Sequence, residues 1–132
     1  MREILLDTCA LIYVLGGEAM GAEAKQAVAD NPISVSAVSA LEIAILMRKG
    51  RFRTSGDAAR WFRSSVDTLA ATLHPMSPDI LFASQALPGL PLKDPFDRIV
   101  IATAGHRGAV LVTRDRAILA YGAAGHVAVM GC

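Results

Sequence analysis

Four carboxylates stand in unusually apolar company. Asp7 closes the run Ile4-Leu5-Leu6, and Glu42 lies inside Ala40-Leu41-Glu42-Ile43-Ala44-Ile45-Leu46-Met47. Asp97 precedes Ile99-Val100-Ile101-Ala102, and Asp115 follows Val110-Leu111-Val112. A carboxylate is seldom found in such surroundings unless something pairs with it. Each acid taken singly also fits as a helix-start residue. Ser39-x-x-Glu42 is a capping-box pattern, Asp94-Pro95 reads as an N-cap with proline at the first helical position and Asp97 at the third, and Asp7 and Asp115 can each cap a helix after their strand. Taken together, the four suggest convergence. Two like charges about 4 Å apart cost roughly 4 kcal/mol at an effective dielectric near 20, so a cluster of four needs a cation or shifted pKa values. The set offers oxygen donors and no His or Cys, which favours Mg²⁺ or Mn²⁺ over Zn²⁺. An ion held this way lowers the pKa of a bound water and neutralises charge building on a phosphate.

Such convergence requires a fold that brings strand ends and helix starts to one edge. The sequence predicts short buried strands over 4–6, 33–35, 109–112 and 127–129. Between them it predicts helices over 8–15, 22–29, 39–49, 56–73 and 78–87, from 94–95 to about 106, and to about 121. The 56–73 helix carries Trp61, Phe62, Val66 and Leu69 on or near one face. Pro88-Gly89-Leu90-Pro91 reads as a turn-rich break. Strands alternating with helices indicate an α/β protein: a three-layer α/β/α arrangement with a central, mainly parallel sheet and helices on both faces. Ligands in such folds gather beyond the carboxyl ends of the strands at the topological switch point, which directs attention to Asp7 and Asp115.

The 132 residues are expected to form one domain, 1–132, because 53% are hydrophobic and no linker or repeat divides them. Thirteen Lys and Arg against twelve Asp and Glu exclude a global basic field, so a nucleic-acid partner has to be met by a local patch. One candidate exists: Arg48, Lys49, Arg51, Arg53, Arg60 and Arg63 supply six of the thirteen cations within sixteen residues, against Asp57 alone, with Phe52, Trp61 and Phe62 interleaved. Arg48, Lys49, Arg51 and Arg53 are the expected contacts to RNA, while Trp61 and Phe62 are expected mainly as core. Two cysteines, Cys9 and Cys132, make no disulfide framework, and the apolar neighbours of Cys9 suggest packing rather than catalysis. The start of the chain lacks the apolar core of a signal peptide, and no apolar stretch approaches a membrane span. These features give the expectation of a cytoplasmic protein with no membrane partner.

The segments Ile4-Leu5-Leu6-Asp7-Thr8, Ser39-Ala40-Leu41-Glu42-Ile43, Asp94-Pro95-Phe96-Asp97-Arg98-Ile99-Val100-Ile101-Ala102 and Val112-Thr113-Arg114-Asp115 resemble the four acidic motifs of PIN domains. More narrowly, they resemble those of VapC-type toxins from toxin–antitoxin pairs, in the same order over nearly the whole chain. The resemblance implies a Mg²⁺- or Mn²⁺-dependent endoribonuclease with Asp7, Glu42, Asp97 and Asp115 as its catalytic and metal-binding set. Asp7 and Asp97 would be the most direct ligands, with Glu42 and Asp115 acting through waters or completing a second metal position. Glu42 is the candidate for orienting the attacking water. Thr8 and Thr113 match supporting hydroxyl positions, and Asp94 looks like a helix cap. The products implied are a 5′-phosphate and a 3′-hydroxyl, with no covalent enzyme intermediate. A cognate antitoxin and a homodimer are implied as partners, the antitoxin being the alternative to RNA as the contact of Arg48, Lys49, Arg51 and Arg53. Two other readings are an inactive PIN-like module binding RNA or protein, which four intact acids argue against, and a haloacid-dehalogenase-like phosphatase. The latter needs an Asp two residues after the first, where this chain has Cys9.

Overall fold

The computed structural model describes residues 2–89 and 92–132. Its elements are β1 (Ile4–Leu6), α1 (Thr8–Gly16), α2 (Ala22–Asp30), β2 (Ile33–Ser36), α3 (Val38–Arg48), α4 (Ala58–Thr68), β3 (Thr72–His74), α5 (Pro78–Gln85), α6 (Pro95–Arg107), β4 (Val110–Thr113), α7 (Arg116–Ala123) and β5 (Val129–Gly131). The strands form one all-parallel sheet in the order β3-β2-β1-β4-β5. Side chains alternate across it, as the pleat demands. Ile4, Leu6, Val35 and Val112 pack on one face against Ala10, Leu11, Ala24 and Phe62. Leu5 and Leu111 pack on the other against Val100, Ile101, Ala104, Ile118 and Tyr121. Helices α1, α2 and α4 therefore cover one face, and α6 and α7 the other, giving the expected three layers. Helix α3 serves both cores, through Ile43 on the first and Val38 on the second.

The local reasons are legible. Asp7 caps α1, which ends at Gly17 in the left-handed region (φ 69°). Asp94 caps α6, Pro95 opens it, and Gly108 (φ 63°) closes it. The chain runs outward from β1 through β2 to β3, then crosses to the opposite side of β1 for β4 and β5. The switch point thus lies between β1 and β4. There the segments after the two strands diverge, leaving a crevice at their carboxyl ends.

Three expectations are corrected. The helix expected over 56–73 stops at Thr68; Ala70 takes a positive φ of 48°, and Thr72–His74 becomes the edge strand β3, paired with Ser34–Ser36. Pairing with β2 offers this segment hydrogen bonds that no helical pattern reveals. The last strand is Val129–Gly131 rather than 127–129, because its register against β4 sets Val129 beside Leu111. Helix α3 begins at Val38 with Ala37 as a cap that makes no side-chain bond, so the Ser39–Glu42 capping box does not form. Leu90 and Pro91 of the expected turn-rich break lie outside the described residues.

Candidate active site

Asp7 follows β1 and is almost fully buried, at 7% exposure. Its two oxygens have separate tasks. Oδ1 accepts the Ala10 backbone N–H at 2.7 Å, capping α1, while Oδ2 accepts the Thr113 hydroxyl from the end of β4. Thr113 Oγ1 in turn accepts the Asp115 backbone N–H at 3.0 Å. Asp115 caps α7 through the Ile118 N–H at 2.9 Å. One buried hydroxyl thus ties the two acids of the switch point together, with one proton given and one received.

A second hydroxyl brings in α3. Thr8 Oγ1 lies 2.7 Å from Glu42 Oε1 and 2.8 Å from Ser39 Oγ. With a single proton to give, Thr8 donates to the carboxylate and accepts from Ser39. Ser39 is fully buried, and its part in this network was not foreseen from sequence, where its spacing to Glu42 pointed to a cap. Asp94 caps α6 through the Phe96 N–H at 2.8 Å and leaves Asp97 at the third position of the helix, half-buried. The Arg98 guanidinium donates to the carbonyls of Ser84 (2.9 Å) and Leu92 (3.3 Å), fastening the first turn of α6 to the end of α5.

The acids sense one another. The Asp97 carboxyl is pushed up to about 7, by burial first and then by Asp94, Asp115, Glu42 and Asp7. Burial also raises Glu42, with Asp94 and Asp7 adding to it against the Thr8 bond. Asp7 is raised by burial and by Asp115, although the Thr113 and Ala10 bonds oppose the shift. The structure therefore couples all four expected acids across β1, α3, α6 and β4, with Thr8 and Thr113 as their hydroxyl partners.

The donor set suits a hard divalent cation, being oxygen-only and unneutralised by any nearby cation that lowers these carboxyls. Among the described residues no three acidic, His or Cys side chains are drawn together tightly enough to hold an ion unaided. Mg²⁺ does not require that, since it keeps several waters and binds through one or two carboxylates plus substrate phosphate.

Cys9 is exposed beside this cluster rather than packed in the core, contrary to expectation, because it lies on the outward side of α1. Although the residue as a whole is exposed, its thiol is partly screened from water, and this desolvation together with Asp7, Glu42, Asp115 and Asp97 pushes it up to about 11, so it carries no thiolate at neutral pH. The basic residues are not brought to the acids. Arg48, Lys49, Arg51 and Arg53 are exposed at the far end of α3 and beyond it, and six residues of helix alone carry Arg48 about 9 Å along the axis from Glu42.

The family described as PIN domain matches residues 4–123. No curated protein matches the sequence. Among solved structures, the chain is similar to VapBC2 from Rickettsia felis bound to a DNA fragment from their promoter, at 16% identity and a TM-score of 0.67 over 98% of each chain. It is similar to DNA-bound VapBC from Salmonella typhimurium at 15% identity and 0.68, over 99% of this chain and 98% of the other. A toxin–antitoxin complex from Klebsiella pneumoniae matches at 25% identity and 0.59, over 85% and 86%.

Proposed function

The chain belongs to the PIN domain family, and on that premise we propose that it is a Mg²⁺- or Mn²⁺-dependent endoribonuclease, the toxin component of a toxin–antitoxin pair. The observation that carries the reading is the wiring of the acids. Beyond the effect of burial, Asp97 is raised by each of the other three acids, which supports one shared neighbourhood for the four carboxylates, and hydroxyls bond two of them: Thr113 to Asp7 and Thr8 to Glu42. A purely structural set of caps would explain Asp7 and Asp115, but Glu42 and Asp97 cap nothing. The similarity to toxin–antitoxin complexes supports the toxin assignment and a cognate antitoxin as partner.

Asp7 and Asp97 would hold the ion, with Asp115 and Glu42 reaching it through waters or completing a second position. When bound, the ion supplies Lewis acidity toward the scissile phosphate and lowers the pKa of water. Asp7 is fixed for this role by its two hydrogen bonds, which offset only part of the rise that burial imposes on its carboxyl. Glu42 is held through Oε1 by Thr8, which leaves Oε2 to orient a water for attack on phosphorus and receive its proton. No covalent enzyme intermediate is needed, and in-line attack leaves a 5′-phosphate and a 3′-hydroxyl. Cys9, protonated at neutral pH, takes no part.

The test is cleavage of end-labelled single-stranded RNA by the purified chain. Cleavage with Mg²⁺ or Mn²⁺, its loss in EDTA, and its loss in Asp97→Asn are expected. RNA that stays intact under every metal condition overturns the assignment and favours a binding module. We further propose a homodimer formed over the exposed apolar side chains of β3 and α5, where Leu73, Leu81 and Phe82 are 47%, 40% and 75% exposed.

A further inference from the structure

Away from the acids of the candidate active site, the corner between α3 and α4 concentrates positive charge, with six cations against Asp57 in the same stretch and Glu18 across the wider cleft. Arg48, Lys49, Arg51, Arg53, Arg60 and Arg63 are all exposed. Both ion pairs among the described residues are made elsewhere, by Glu3. The one acid in the stretch, Asp57, is occupied as the N-cap of α4. Two clefts meet at this corner. One, of about 210 Å³, is lined by Thr54, Ser55, Gly56, Arg60, Trp61 and Ser64. The other, of about 370 Å³, takes in Arg53 and Phe52 together with Leu15, Gly16 and Glu18 from the end of α1 and the turn after it. Thr54 and Trp61 line both, so the half-buried indole is their shared wall. Phe52 steadies it edge-on, with ring centroids 4.9 Å apart.

Neither cleft includes an acid of the candidate active site. Helix α1 measures the separation, since Asp7 caps one end and Gly16 at the other lines the furrow. Nine residues of helix span about 13 Å, which is about four nucleotides at the ~3.4 Å rise of a stacked strand.

We infer that this furrow is a second contact site for the RNA, holding nucleotides outside the reacting phosphodiester. Arg53 and Arg60 take phosphates, and Trp61 takes a base. The inference rests on the ribonuclease reading for the identity of the strand, and the chemistry of the lining favours that partner over a protein segment. Guanidinium forks match phosphate oxygens, the open part of the half-buried indole can stack on any base, and Thr54, Ser55 and Ser64 give the narrower cleft a polar wall, while the wider one adds the apolar Ile12, Leu15 and Phe52 and one acid, Glu18.

Trp61 is the only tryptophan in the chain, so its emission reports on the furrow directly. Oligouridylates of four and twelve nucleotides are titrated into the Asp7→Asn protein, and into the same protein carrying Arg53→Ala and Arg60→Ala, across a salt series. The twelve-mer is expected to quench Trp61. Removing the two arginines should weaken its binding and flatten the slope of log affinity against log salt by roughly 0.7 for each lost phosphate contact. The four-mer, long enough for one site but not both, should lose less. Unchanged Trp61 emission on RNA binding, or identical salt slopes in the two proteins, overturns the inference. Quenching by a co-purified protein partner but not by RNA overturns it too. Quenching of Trp61 by RNA in a chain whose wild type cleaves nothing upholds the furrow and sinks the nuclease reading alone.

Discussion

Thr113 occupies the position where a single atom matters most. Its hydroxyl is fully buried, gives its proton to Asp7 Oδ2 and accepts the Asp115 N–H. Thr113→Val leaves both partners short of a bond in a dry site, which should cost about 1–3 kcal/mol of stability and raise the Asp7 carboxyl further. Thr113→Ser should restore both, and urea denaturation of the three proteins checks the order. Protonation is the other residue-scale consequence. Asp97 titrates near 7 in the folded chain against about 4 when unfolded, and Asp7 and Glu42 are raised as well. Between those values the folded state holds more protons than the unfolded one, so stability falls as pH rises from about 4 to 7 and levels above. Glu3, lowered by its bonds to His74, Ser34 and Arg107 against the opposing effect of burial, acts in the opposite sense at the acid end. Thermal melts in EDTA from pH 4 to 8 should show the decline, and Asp97→Asn should flatten it. A melting temperature that climbs steadily to pH 8 contradicts the cluster.

At the scale of elements, the sheet's second edge depends on one close approach. An added Cβ at Gly122 of α7 would meet Val129 Cγ2 of β5 at 2.2 Å. Helix propensity alone favours alanine over glycine by about 1 kcal/mol, so a mutation read from the helix would be stabilising. The packing argument reverses the sign: Gly122→Ala should destabilise by about 1–3 kcal/mol, the usual cost of overpacking, by pushing α7 off β5. Gly122→Ala combined with Val129→Ala should recover part of the loss. Denaturant titrations of the single and double variants measure the coupling.

The whole molecule presents one face of acids, one corner of cations and one apolar side. Phe82, 75% exposed on α5, Leu81 on the same helix, Leu73 of the edge strand β3 and Met76 between them are exposed apolar side chains within ten residues of chain. A charge there should split the proposed dimer without touching either core, so Phe82→Glu is expected to be a folded monomer where the wild type is a dimer. Light scattering across a concentration series decides it, and a wild type that is monomeric throughout rules the interface out. Divalent ions should act on the molecule globally: because they bind the folded cluster and not the unfolded chain, Mg²⁺ or Mn²⁺ should raise the melting temperature of the wild type. The increment should shrink in Asp7→Asn.

Much of this protein was legible because its signals are local. Apolar runs such as Ile4–Leu6 mark buried strands, Asp94-Pro95 marks the start of α6, and an acid after a buried run marks the carboxyl edge of a parallel sheet. No helix among the described residues is long and apolar enough to cross a membrane, as composition also indicated. Other features depend on partners distant in the chain. Thr72–His74 continues a helical pattern in sequence and becomes a strand only because β2 offers an open edge. The register of β5 follows from β4. Ser39 and Glu42 fit a capping box by spacing, yet Thr8, thirty-one and thirty-four residues earlier, claims both side chains. The basic stretch lies close to Glu42 in sequence, but helix α3 carries it away from the acids. Periodicity and capping are set by neighbours within a few residues and can be read directly. Pairing, register and hydroxyl wiring are decided by segments that meet only when the chain closes on itself.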